Sequence, residues 1–482
     1  MRDLTNTALN IANSRGVNYA DIRIIRFNSE NIHVRNSRIS TLDNNESLGF
    51  GVRVLIDGAW GFASSSQVTK AEIEKITALA INIAQASAML KKDDVNLTQE
   101  TPAVDLWQTP FVIDPFSVPL QEKLGLLFEI DRVLRKNKKV KVAMGGMAFL
   151  REHQWFASTE GSFIEQVLLR SGAGYSATAV GNNDTQVRSY PTSFGGQYMC
   201  MGYELIKSLN LLEHAEQTRD EAVGLLTAAP CPSGKLDLIL GGPQLALQIH
   251  ESVGHPTELD RVLGMEESFA GRSFLTPDKY KNFQFGSELV NLVADGTVPG
   301  GLATIGYDDD GVRAQRWHLV KNGMFCGYQT NREVALKIGE NKSRGCSRAE
   351  GFTRIPIVRN NNISLMPGKW TLDDLIRDTQ HGVYMDTNKS WSIDQMRLNF
   401  QFGCEIGWEI KNGKKIRMVK NPNYQGITPE FWNSCDAICD DKHWVLWGVP
   451  NCGKGEPMQT AEMSHGTAPT RFRKTTVGVK TK

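Results

Sequence analysis

The stretch Gly241-Gly-Pro-Gln-Leu-Ala-Leu-Gln-Ile-His-Glu-Ser-Val-Gly-His-Pro-Thr-Glu258 constrains this chain more than any other, because it sets two histidines and a glutamate inside an apolar helical run. Its core reads His250-Glu251-x-x-x-His255. Two imidazoles supply the neutral nitrogen donors that Zn²⁺ takes, and a carboxylate beside one of them can accept a proton from a metal-held water. The chemistry in outline is hydrolytic.

Spacing complicates that outline. Histidines four apart share one helical face, as in His-Glu-x-x-His. Here they are five apart, and at 3.6 residues per turn i and i+5 lie about 140° apart around the axis, against roughly 40° for i and i+4. A straight α-helix cannot aim both rings at one ion. The sequence predicts a helix that begins near Pro243, a good first-turn residue, and loosens or widens at Val253-Gly254. Gly254 is a natural helix-ending residue, and Pro256 is expected to push His255 from the helical towards an extended conformation, swinging it back beside His250.

At 482 residues the chain can hold two or three cores. Pro230-Cys-Pro-Ser-Gly234 marks the expected boundary, giving an N-terminal α+β domain over residues 1–229 and a β-rich domain over 230–482 that carries the His-Glu helix. The expected class is α+β: helices packed on antiparallel sheet, followed by a mostly antiparallel β domain. Before the boundary, helices are predicted over residues 4–15, 70–90, 120–136 and 204–227. Asp57-Gly58 is read as a hairpin turn, residues 91–118 as an extended connection, and residues 139–200 as a meander with turns at Gly145-Gly146, Glu160-Gly161 and Gly181 to Asp184. Beyond it, Asn-Gly turns follow Lys321 and Lys411, and short helices are expected over 372–378 and 429–438.

Charge selects no bulk partner: 54 basic and 53 acidic residues leave +1, with no footprint for nucleic acid or an anionic membrane. No stretch approaches the roughly 20 apolar residues of a membrane span, and the first residues carry no apolar leader core, so a soluble cytoplasmic protein is expected. Eight scattered cysteines fit reduced thiols.

A zinc site with one open position wants three protein ligands, so His250 and His255 need a third. Glu258, Asp260, His465 and several cysteines are available. Cys452 stands out in Pro450-Asn-Cys-Gly-Lys-Gly455, a glycine-flanked loop that could approach a buried ion, with Lys454 as a cation favouring thiolate. Against this, a histidine on an amphipathic helix is usually a hydrogen-bonded core residue, and a lone cysteine usually a small hydrophobe. Cys435 and Cys439, four apart on an expected short helix, read as packing. Asp308-Asp-Asp310-Gly311 reads as an acidic turn, since it lacks the remaining ligands of a calcium loop.

Several segments together resemble the TldD/PmbA family of metallopeptidases, long labelled modulators of DNA gyrase. They are Gly49-Phe-Gly-Val-Arg-Val with Trp60-Gly-Phe-Ala-Ser64, Thr159-Glu-Gly161, His250-Glu-Ser-Val-Gly-His255-Pro-Thr-Glu258, Gly306-Tyr-Asp-Asp-Asp-Gly311, Asn451-Cys-Gly-Lys-Gly455 and Ser464-His-Gly466. The five-apart His-Glu motif and the late Cys-Gly-Lys are similar to the TldD type. The resemblance implies Zn²⁺ held by His250, His255 and Cys452, with Glu251 as general base in peptide hydrolysis. It also implies a dimer, either with a PmbA-like (TldE) subunit or with a second copy, enclosing a chamber that admits short or unfolded peptides. Two alternatives carry other expectations: a non-catalytic peptide-binding or regulatory subunit with structural histidines, and a metal-dependent amidase on modified small peptides. The run Arg354 to Asn362 and Tyr307 depart from the family pattern; read as lying away from the ligands, they bear on specificity.

Overall fold

The computed structural model describes residues 1–181 and 183–478; Asn182, inside one of the predicted turns, lies outside the described residues. It is an α+β architecture of three large sheets, mostly antiparallel.

The first sheet has eight strands, with Ala59–Ser65, Arg38–Ile56, Tyr19–Arg35, Val140–Ser158 and Phe163–Gly181 in spatial order. Apolar residues alternate along the buried parts of these strands, so one face receives helices. Arg2–Ser14 and Lys70–Ala88 cover one end through Ala8, Ala12, Ile73, Ile76 and Ala80 against Ile22, Ile24, Phe50 and Val52. Leu120–Leu134 and Ala215–Leu225 cover the other through Leu127, Ile130, Leu134 and Ala222 against Ile32, Val34, Met147 and Phe149. The Asp57-Gly58 hairpin forms as its residue types require, both at positive φ (47° and 72°).

Three local expectations fail for physical reasons. Residues 204–227 form two helices, Glu204–Ser208 and Ala215–Leu225, because Asn210 takes the left-handed conformation (φ 48°) between them. The 91–118 connection contains a strand, Val104–Gln108, which adds in parallel to Phe163–Val167; Pro102 and Pro110 bracket it at the sheet's edge, where a missing N–H costs nothing. Gly145-Gly146 is not a turn but mid-strand in Val140–Ser158. Gly146 is small there because a Cβ would meet the His33 ring at 2.3 Å.

After Gly234 two sheets enclose a larger apolar core. In one, the strands His381–Ile393, Gly234–Leu240, Thr470–Val477, Asn423–Ile427 and Asn399–Lys411 pair in a circuit that closes back on His381–Ile393. The other ends in Leu292–Asp295, Ile363–Leu365, Gln459–Thr467 and Val445–Lys454. The Asn322-Gly323 and Asn412-Gly413 turns form as read, with positive φ throughout. Leu372–Asp378 is helical, but only Thr428–Asn433 of the second expected helix is. Cys435–Ile438 is a strand on Thr470–Val477, so Cys435 and Cys439 do not share a helix, though both are buried. The eight thiols are free, and no helix among the described residues is long and apolar enough to cross a membrane.

The acidic turn Asp308 to Asp310 is answered by protein donors. Asp308 accepts the N–H groups of Asp310, Val312 and Ser347, Asp309 receives Gln154 and Arg23, and Asp310 pairs with Arg53 at 2.7 Å. Arg53 also holds buried Asp21 at 2.7 Å. Arg53→Met would strand two buried carboxylates, a cost of about 3–5 kcal/mol. The expected result is a clear fall in the denaturant midpoint, and an unaltered midpoint would show that the pairing carries no net stability.

Candidate metal centre

The strand Gly234–Leu240 feeds the helix Gly242–Ile249, capped by Gly241 with Pro243 in its first turn. From His250 to Gly254 the helix widens into a π-turn, in which the His255 N–H donates to the His250 carbonyl. That i→i+5 bond puts residues five apart on the same side of the helix, which the α-helical pitch does not. The His250 and His255 rings lie 4.7 Å apart between centroids.

The widening expected at Val253-Gly254 is present, beginning already at His250, but the conformations expected of His255 and Gly254 are not. His255 is not extended; it stays helical at φ −59°, ψ −40°, opening a short 3₁₀ turn, His255–Thr257. Gly254 is likewise helical (φ −59°) and does not end the helix; it is needed for close approach, since a Cβ there would lie 2.8 Å from the Asn360 amide. Carbonyls loosened by the wide turn find side-chain donors. Thr257 Oγ1 donates to the Val253 carbonyl at 2.8 Å, and Gln329 Nε2 to the Gly254 carbonyl at 3.0 Å.

Cys452 arrives from the other side. It sits on the strand Val445–Lys454 rather than in a loop, where a register shift between Val449 and Cys452 turns it inward. His250, His255 and Cys452, all buried, offer ligand atoms within 4.8 Å of one another. The Cys452 Sγ lies 3.5 Å from His255 Nε2. Two tetrahedral zinc ligands at about 2.05 Å (N) and 2.3 Å (S) are themselves about 3.5 Å apart, so the contact has the separation that two ligands of one ion require. The residues fit the ion.

The other candidate ligands are engaged elsewhere. Glu258 Oε2 takes the His255 Nδ1 proton at 2.8 Å, Asp260 takes Lys454 at 2.7 Å, and His465 Nε2 meets His250 Nδ1 at 2.9 Å. Lys454 thus serves the two carboxylates rather than the thiol. Burial pushes the Glu258 carboxyl up, but Lys454 and His255 outweigh it and hold the group below the ordinary carboxylate range. Asp260, where burial prevails over Lys454, is pushed up to about 6. Burial holds the imidazoles of His250 and His465 below their usual value. Burial alone would raise the Cys452 thiol, yet His255 and Arg359 bring it down, whereas burial raises Cys200 to about 11 and Cys346 to about 12.

Glu251 ion-pairs through Oε2 with Nη1 of Arg397. Burial raises its carboxyl, but Arg397 with the two histidines and Arg261 prevails, so it stays ionised. Arg397, in the turn between His381–Ile393 and Asn399–Lys411, had no sequence signal. The run Arg354 to Asn362, expected to lie away from the ligands, touches them: Arg359 donates to the Cys452 carbonyl at 2.5 Å, and Asn360 Nδ2 is 3.5 Å from His255 Nδ1. Its departure from the family pattern was the available signal.

Family models described as PmbA/TldA metallopeptidase domain 1, central domain and C-terminal domain match residues 20–84, 113–226 and 233–478. The chain is 30% identical to Metalloprotease MJ0996 of Methanocaldococcus jannaschii, covering 90% of this chain and 92% of that one. It is 20% identical to a zinc metalloprotease TldD homolog of Saccharolobus solfataricus, covering 97% and 98%. TldE from Thermococcus kodakarensis shares the fold, with a TM-score of 0.71 at 17% identity over 99% of this chain and 100% of that one. With the wide-turn histidine pair, the cysteine that meets it and these matches from residue 20 to residue 478, the chain belongs to the PmbA/TldD metallopeptidase family.

Proposed function

We propose that the chain is a TldD-type zinc metallopeptidase acting on peptide bonds of short or unfolded polypeptides, with His250, His255 and Cys452 as ligands and Glu251 as general base. The observation that carries the reading is the buried His, His, Cys cluster, with Glu251, next in the chain to His250, held in an ion pair with Arg397. A zinc ion held there would polarise a peptide carbonyl and bring a water's pKa to about 7.

Glu251 takes the proton of the attacking water on a carboxylate oxygen and returns it to the departing amine nitrogen. Arg397 keeps that carboxylate charged and limits its rotation. His255 is oriented by Glu258, whose own charge is balanced by Lys454 at 3.6 Å. Such carboxylate–histidine contacts fix which ring nitrogen is bare and raise its basicity.

The proposal includes a dimer, with a TldE-like subunit or a second copy, and a cytoplasmic setting; the shared fold of a TldE supports the first pairing. Residues 1–229 and 230–482 are then an N-terminal unit and a site-bearing unit. The test is metal content and peptidase activity of the purified chain, alone and with a TldE-like partner. Near-stoichiometric zinc, with cleavage of an unfolded peptide lost to a chelator and restored by zinc, is the expected result. Cleavage indifferent to chelation would overturn the metal mechanism, and zinc without cleavage in either state would favour a binding subunit.

A further inference from the structure

The Ser464-His465-Gly466 segment takes no part in the mechanism above, yet its histidine is fully buried against a proposed ligand. We infer that His465 is a positioning residue that fixes the tautomer of His250, leaving the Nε2 lone pair of His250 free for the metal. The inference rests on the reading of His250 as a ligand.

Hydrogen-bond polarity carries the argument. His465 Nδ1 lies 3.2 Å from the backbone carbonyl of Ile363. A carbonyl only accepts, so Nδ1 of His465 holds the ring's proton. A neutral imidazole has one proton, so its Nε2 is an acceptor, and His250 Nδ1 at 2.9 Å must donate to it. His250 Nε2 is then bare. The reverse arrangement fails twice: it sets a bare His465 Nδ1 against a carbonyl, and it puts the His250 proton on Nε2, where an ion would have to displace it. A charged His465 would make His250 Nδ1 the acceptor, with the same obstruction, and full burial opposes that charge.

The polarity is set by backbone and therefore rigid. Ile363 and His465 are partners in the parallel pairing of Ile363–Leu365 with Gln459–Thr467. Ser464 accepts the Leu302 N–H on its hydroxyl at 3.0 Å and donates its own N–H to Asn362 Oδ1 at 3.0 Å. A Cβ on Gly466 would come within 1.9 Å of Trp444, so the strand cannot shift there without moving that ring. The two ligand histidines are thus oriented by opposite means, His255 by an anion and His250 by a neutral ring tied to a carbonyl.

Two variants separate this role from simple packing. Glutamine at 465 can donate its amide N–H to the Ile363 carbonyl and accept from His250 Nδ1, while leucine fills the space and does neither. With ¹⁵N-histidine-labelled, metal-free protein, NMR is expected to show His250 protonated on Nδ1 in the wild type and in His465→Gln, and not held in that form in His465→Leu. Zinc affinity, measured by chelator competition, should stay within about threefold for His465→Gln and fall by about 10–100-fold for His465→Leu, the range for loss of a residue that supports a metal ligand. A wild-type His250 protonated on Nε2, or a folded His465→Leu protein with wild-type tautomer and zinc affinity, would overturn the inference. The metal-free spectrum decides even if His465→Leu does not fold, since wild type and His465→Gln suffice. Wild-type protein that takes up no zinc would instead overturn the metal reading, leaving the tautomer result to stand or fall by itself.

Discussion

Glu251→Gln is expected to keep its zinc and lower kcat by about 10²–10⁴-fold, the range for loss of a positioned general base. Glutamine has nearly the shape of glutamate, so the π-turn and the histidines it carries should be undisturbed. Its amide has no useful basicity, and the water then has no proton acceptor. Glu251 is also outside the cluster of ligand atoms, which is why metal content should not follow activity down. One side effect is foreseeable: Arg397, 16% exposed, loses its counter-charge. Arg397→Met added to Glu251→Gln should recover whatever stability the single change costs without recovering turnover. Wild-type kcat in Glu251→Gln would remove this residue from the chemistry.

The parts of the fold legible in the sequence are those governed by local rules. Asp57-Gly58, Asn322-Gly323 and Asn412-Gly413 form turns because their residue types tolerate positive φ, and Ile73, Ile76, Ala80 and Ala84, at helical spacing, lie on the buried face of Lys70–Ala88, although Leu79 and Ile83 beside them are exposed. Failures occur where a distant segment decides. Gly146 resembles a turn glycine, but its smallness serves His33 on a neighbouring strand. Val104–Gln108 is a strand because Phe163–Val167 lies beside it, which five residues between prolines do not announce.

The site divides along the same line. The need for a non-α turn between His250 and His255 follows from 3.6 residues per turn, and is local. How the turn is made is only partly local: the helix widens as its sequence suggests, but His255 stays helical rather than extended, and the free carbonyls of the wide turn are served by Thr257 and by Gln329, far along the chain. Arg397, Arg359 and Asn360 reach the centre through sheet closure, and no spacing rule connects them to residue 250. His465 and Glu258 were legible as residues of the right chemistry. Which of the available groups join the cluster and which brace its histidines is a matter of strand register.

Cys452→Ser should abolish stable zinc binding while leaving the fold close to wild type. The proposed ligand set contains one anion, the Cys452 thiolate, beside two neutral imidazoles; a serine hydroxyl remains protonated at neutral pH and replaces a soft charged donor with a weak neutral one. The loss should exceed the about 10–100-fold expected of a supporting residue such as His465, because a bond to the ion itself is removed. Structural cost should be small, since serine is nearly isosteric and the position is lined by Ala303, Val449, Ala461 and Met463 with no backbone strain at the cysteine. The neighbouring His255 stays anchored by Glu258 in either case. Zinc per chain and the thermal midpoint, measured on the same preparation, separate the two effects: zinc should fall to near zero with the midpoint matching that of chelator-treated wild type. Cys346→Ser, buried in the larger apolar core and outside the cluster, is the control expected to keep its metal. Full zinc occupancy in Cys452→Ser would mean that the ion rests on the two histidines and some other group, and would return the third ligand to the carboxylates of Glu258 and Asp260.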